Sequence, residues 1–168
     1  MRSAFCFLVL CLPLIASAQR INIEFDETAH FSDYKTFKVL KGQIHSRHPS
    51  LNNELTYKKI EGMIRRHLVE RGLTEVPNNP DLNVVYNLGA ANKRELDVYP
   101  AGWRGYGTRT VAHVYTEGTL VINLRDTRKH ELVWRSIAVE DKNDPIKIQE
   151  HLDDMVRKSV DKYPPKAK

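Results

Sequence analysis

The chain has only two cysteines in 168 residues, Cys6 and Cys11, and none after position 11. From position 12 onward that scarcity excludes a disulfide, a thiol nucleophile and a cysteine-held zinc, so stability has to come from packing. No apolar run after Ile15 approaches the roughly 20 residues that a membrane helix requires. Also missing are a G-x-S-x-G elbow, an H-E-x-x-H pair and a glycine-lysine-threonine phosphate loop, which removes the commonest hydrolase, metalloprotease and nucleotide signatures. Nor does charge of one sign dominate, since 26 Lys+Arg stand against 21 Asp+Glu for a formal net charge of +5. The charges are interspersed, a balance that suits solubility and weak attraction to anionic surfaces and does not imply nucleic acid.

The two cysteines sit in a segment of distinctive order. Arg2 precedes the apolar run Phe5 to Ile15, which ends in Ala16-Ser17-Ala18, the charge, grease and small-residue sequence of a secretory signal peptide. The reading is a cleavable leader over residues 1–18 and one mature domain over 19–168, net charge +4 once Arg2 is lost. Val9-Leu10 ahead of Cys11 is bulky and the apolar run continues past it, which argues against lipid attachment there. The expected location is periplasmic or secreted.

In the mature part, Ile21, Ile23 and Phe25 alternate with polar residues as in a half-buried strand, and Thr36 to Leu40 reads as a second. A helix is predicted from about Asn53 to Arg71. Its Tyr57, Ile60, Ile64 and Leu68 share one stripe, Gly72 stands at the C-cap position, and Lys58, Lys59, Arg65 and Arg66 fall opposite as a solvated face. Gly62 lies on that polar side. Pro77-Asn78-Asn79-Pro80 marks a turn, and Leu82, Val84, Tyr86 and Leu88 alternate as a third strand. Ala90 to Thr108, with Gly102, Gly105 and Gly107 among Tyr99, Trp103 and Tyr106, reads as a long loop. Thr119 to Leu124 and Glu131 to Val139 pair as an antiparallel hairpin across a short polar turn. Asp144-Pro145 opens a second helix, with Ile148, Leu152, Met155, Val156 and Tyr163 on one face. Two amphipathic helices packed on one face of a mostly antiparallel sheet give the expected fold class, an α+β two-layer sandwich.

Phe31-Ser32-Asp33-Tyr34-Lys35-Thr36-Phe37, Leu68-Val69-Glu70-Arg71-Gly72-Leu73, Pro80-Asp81-Leu82-Asn83-Val84, Glu117 to Leu124, Leu132-Val133-Trp134-Arg135 and Tyr163-Pro164-Pro165 occur in this order. Together they resemble the domain of unknown function 4136 family over nearly the whole mature chain. The resemblance implies an exported or lipid-anchored bacterial envelope protein of uncharacterised activity, and it carries over no catalytic residue. The missing cysteine after the apolar region favours a periplasmic form without a lipid anchor.

Candidate chemistry is sparse. His45 and His48 are three residues apart, a possible metal pair, but Arg47 between them and Pro49 after them favour a polar loop without metal. The five serines beyond the leader, Ser32, Ser46, Ser50, Ser136 and Ser159, have no recognisable base nearby in sequence. Asp153 and Asp154 are adjacent and point about 100° apart on a helix, a poor geometry for sharing a proton. The segment around Trp103, Arg104, Tyr106 and Arg109 combines rings and guanidinium groups that stack on sugars, bases or peptide faces, with glycines that permit close approach. These four are the candidate residues for binding an envelope partner or a small ligand, with no cofactor, no metal and no catalytic residue assigned. The alternative is a hydrolase of envelope material, with Asp97, His113 and Glu117 gathered near the same segment.

Overall fold

The computed structural model describes residues 19–100, 108–142 and 145–165. Seven strands form a single sheet in the order β1-β7-β6-β5-β2-β4, with β3 pairing β5 off that path. The strands are β1 Arg20–Phe25, β2 Thr36–Val39, β3 Gln43–His45, β4 Thr74–Glu75, β5 Leu82–Pro100, β6 Thr108–Asp126 and β7 Leu132–Lys142; the helices are α1 Glu54–Glu70 and α2 Pro145–Val160.

The sheet is mixed, where a mostly antiparallel one was expected. β1–β7, β5–β6 and β6–β7 are antiparallel, whereas β2–β4, β2–β5 and β3–β5 are parallel. The cause is α1, which lies between β3 and β4 in the chain. A helical crossover returns the chain to the same end of the sheet, so the strands on its two sides run the same way.

Of the stretch read as a long loop, Ala90 to Pro100 and Thr108 are strand instead, and 101–107 lie outside the described residues. β5 and β6 pair without a register shift from Leu82↔Asp126 to Pro100↔Thr108. Glycines are concentrated at 102, 105 and 107, whereas Leu96 and Val98 on one side and Thr110, Val111 and Val114 on the other are strand formers. The glycine-rich composition of 102–107 outweighed these strand formers in the sequence reading.

Register explains the core. Phe25, Trp134, Leu124 and Val84 stand across neighbouring strands on one face, as do Ile21, Ala138, Leu120 and Leu88. Leu82, Val84, Tyr86, Leu88, Leu120, Ile122, Leu124, Trp134 and Ala138 are fully buried. Ile60, Ile64 and Leu68 of α1 and Ile148, Leu152, Met155 and Val156 of α2 join the same cluster. Asn53 caps α1, its side chain accepting from the Thr56 N–H, and Gly72 adopts φ +86° just past the end, a conformation that glycine reaches without steric cost.

The polar side of α1 is not simply solvated. Arg65 bonds Glu75 on β4 at 2.8 Å, and Arg66 pairs with Asp153 on α2. Just past the helix, Arg71 reaches Asp161 at 2.9 Å. Asp153 and Asp154 are thus helix-surface partners: the second pairs with Arg157 and Lys158 of its own helix.

Candidate functional site

The two ends of the β5–β6 ladder present different surfaces. At the Asp126 end, three segments converge: the short 3₁₀ turn Phe31–Asp33 with Tyr34, the residues Pro80-Asp81, and the β6–β7 turn. The carboxylate of Asp126 accepts the Tyr34 hydroxyl at 3.0 Å and the N–H groups of Arg128 and Lys129 at 2.7 and 3.0 Å. Burial opposes its charge, but the Lys129 N–H, the Tyr34 hydroxyl and the Arg128 N–H outweigh that and hold the carboxyl below its usual range. Burial, and then the bond to Asp126, push the Tyr34 hydroxyl up to about 12. Asp81 repeats the pattern, accepting the N–H groups of Lys35 and Thr36 and the Thr36 hydroxyl. Its carboxyl is held low by those donors against the cost of burial.

Two concavities flank this knot. One, of about 350 Å³, is bordered by His30, Asp33, Tyr34, Asp126, Arg128 and Lys129. The other, of about 460 Å³, lies between Asn79, Pro80, Asp81, Asn83, Thr127 and Arg128. Arg128 borders both, 69% exposed at its side chain and 3.9 Å from Asp81. Asp126 accepts structural donors on both oxygens and Asp81 accepts three on Oδ2, and both carboxyls are held low, which makes them poor general bases. Sequence reasoning missed this knot because Tyr34 and Asp126 are 92 residues apart; only the Asp-Thr-Arg-Lys-His turn composition hinted at one half of it.

The described serines offer no activated nucleophile. Ser136 and Ser159 are fully buried, and their hydroxyls have no hydrogen-bond partner. Ser32 bonds Asp33, and Ser46 accepts the His48 backbone N–H. His45 closes β3, exposed and 3.1 Å from Gln43, and His48 is exposed in the following turn. Among the described residues no group of three or more His, Cys, Asp or Glu is placed to hold a metal.

At the opposite end the ladder outruns its neighbours. β7 follows β6 only as far as Thr116↔Lys142, and β3 follows β5 only as far as His45↔Gly89. From Lys93↔Tyr115 to Pro100↔Thr108, eight residue pairs, β5 and β6 pair with each other and with no other described strand. At about 3.3 Å per residue that is a two-stranded ribbon roughly 25 Å long. Leu96, Val98, Ala112 and Val114 occupy positions on the ladder face that continues Leu88 and Leu120, whereas Tyr99, Arg109, Asp97, Glu95 and His113 occupy the other.

Of the sequence-predicted binding residues, Arg109 is paired with Tyr99 near the end of this ribbon. Trp103, Arg104 and Tyr106 lie outside the described residues. Asp97, His113 and Glu117 occupy positions on one ladder face, the first on β5 and the other two four residues apart on β6.

The family model described as Domain of unknown function (DUF4136) matches residues 21–165. No curated protein matches the chain. Among solved structures it is similar to a PDZ domain protein from Parabacteroides distasonis, with a TM-score of 0.58 and 16% identity over 88% of this chain and 36% of that one. The chain therefore spans little more than a third of that protein. It is also similar to the PelC dodecamer from Paraburkholderia phytofirmans, with a TM-score of 0.52 and 12% identity over 85% of this chain and 95% of that one. At these identities the likeness is one of fold. Among the described residues no helix is long and apolar enough to cross a membrane.

Proposed function

The chain belongs to the DUF4136 family, and from that membership together with the unsupported ribbon we propose that it is a non-catalytic binding domain of the bacterial envelope. Residues 1–18 are the leader removed on export, and 19–168 are the working domain, with α1 and α2 as a second layer on one face of the sheet. The observation that carries the reading is the ribbon of eight pairs without a third strand among the described residues. A two-stranded ribbon is marginal in water by itself, and this one has apolar positions on one ladder face. Such an element is stabilised when a partner covers that face.

The segment between β5 and β6 is of a composition suited to recognition. Trp103, Arg104, Tyr106 and Arg109 are of the types that dominate binding hot spots, and glycines beside them permit close approach. The partner is an envelope protein or a small ligand held between these rings and guanidinium groups. The PelC dodecamer is of similar fold, which is compatible with an assembly role.

Photo-crosslinking from position 103 in intact cells, followed by fractionation, tests this reading. A captured partner in the envelope fraction is expected. Trp103→Ala should reduce capture while leaving the melting temperature nearly unchanged. A Trp103→Ala chain that no longer folds would make that residue a core anchor, and a cytoplasmic chain with an intact leader would end the envelope assignment.

A further inference from the structure

β1 ends the strand order and pairs only with β7, in continuous register from Arg20↔Val139 to Phe25↔Trp134. Its outer edge therefore carries a row of main-chain donors and acceptors with no partner strand among the described residues. Protein sheets normally blunt such an edge with proline, a bulge or repeated like charges. β1 has none of these. Its sequence is Arg-Ile-Asn-Ile-Glu-Phe, with Arg20, Asn22 and Glu24 exposed and Ile21, Ile23 and Phe25 half-buried toward the core.

Beside that edge runs a trough. One part, about 360 Å³, lies against Gln19, Ile21 and Lys158; the other, about 570 Å³, lies against Ile23, Phe25 and Arg71. Asp161 and Lys162, just past the end of α2, border both parts. A strand added to β1 at about 4.8 Å would send every second side chain into this trough.

The occupant follows from the charges. An antiparallel copy of β1 can be set with Asn22 opposite Asn22 of the second copy. Arg20 then faces Glu24 of the second copy and Glu24, whose carboxylate also lies 3.5 Å from Arg135 of its own chain, faces Arg20, while Ile21 and Ile23 face one another's counterparts on the trough side. Opposite charges directly across a strand pair are favourable and like charges unfavourable. The strand is thus complementary to itself in one register, as a two-fold interface between copies requires. We propose that the protein self-associates as a two-fold dimer by edge-to-edge pairing of β1, joining two seven-stranded sheets into one. The inference is independent of the ribbon, which lies in β5 and β6 rather than on the β1 edge.

The test uses the full-length gene with Cys6→Ser and Cys11→Ser, so that an introduced cysteine is unique whether or not the leader is removed. Asn22→Cys should form an intermolecular disulfide on mild oxidation, because opposed strand residues fall within the 4.4–6.8 Å Cα separation that the bond needs. Leu55→Cys, exposed on α1, should not. In sedimentation equilibrium, Arg20→Glu and Glu24→Arg should each weaken dimerisation by about tenfold, and the double exchange Arg20→Glu/Glu24→Arg should restore it. A chain that stays monomeric at millimolar concentration overturns the proposal, including one that takes an extended peptide on β1 instead. So does a dimer in which Asn22→Cys fails to cross-link, or in which the double exchange gives no rescue.

Discussion

Asp126 shows what a single buried carboxylate contributes. It is 3% exposed and bonded by one hydroxyl and two backbone N–H groups, so it ties the β6–β7 turn to the segment before β2. Its folded-state pKa is lowered, so its contribution is complete above the ordinary carboxylate value and is lost as pH falls through the folded one. Tyr34 behaves oppositely. Raised from 10.0 to about 12, its contribution is complete below pH 10.0 and is lost as pH rises through about 12. Tyr34→Phe removes one of the donors that hold Asp126 low. It should cost about 1–3 kcal/mol in urea melts at neutral pH and move the acid-unfolding midpoint upward. An unchanged acid midpoint would mean that the N–H groups of Arg128 and Lys129 alone keep Asp126 ionised. The turn itself was legible from its polar composition. Tyr34 was not, because nothing local distinguishes a tyrosine whose partner lies 92 residues away.

At the level of elements, both helices could be read because they run 17 and 16 residues, more than four turns, long enough for a 3.6-residue period to stand out. The parallel part of the sheet could not. β3 and β4 are three and two residues long, shorter than any periodic window. Two glycines separate space from tolerance. A Cβ at Gly62 on α1 meets nothing within 4 Å, whereas one at Gly118 on β6 would lie 2.7 Å from Ile148 Cγ2 of α2. Gly62→Ala should therefore stabilise by about 1 kcal/mol through helix propensity. Gly118→Ala should destabilise by about 1–3 kcal/mol by pushing α2 off the sheet. Equal melting temperatures for the two variants would contradict this packing. Leu68→Ala and Leu152→Ala, each emptying a fully buried position, should cost about 2–5 kcal/mol apiece. Loss in only one of them would show that the helices do not share the core as a single layer.

Across the whole molecule, the nineteen-residue ladder of β5 and β6 joins a region flanked by other strands to one paired only with itself among the described residues. From Leu82 to Leu88, and from Leu120 to Leu124 on its partner, alternate residues are fully buried. Past Asn92↔Thr116 the ladder has no neighbouring strand among the described residues. The sequence made the first half plain through strict alternation and obscured the second, because Gly102, Gly105 and Gly107 follow it closely and give the whole stretch the composition of a loop. This division predicts that the ribbon can be removed without harming the fold. Lys93 and Tyr115 are a directly opposed pair, so replacing residues 94–114 by Asn-Gly closes a two-residue hairpin of the favoured primed type in the existing register. The shortened chain should retain one cooperative thermal transition, within a few degrees of the parent, because 1 kcal/mol moves the midpoint of a domain this size by only about 2–4 °C. It should also fail to capture the envelope partner, since Trp103, Arg104, Tyr106 and Arg109 leave with the excised segment. A chain that no longer melts cooperatively would place the ribbon within the stabilising core. One that still captures its partner would move the binding surface to the Arg128 end of the ladder.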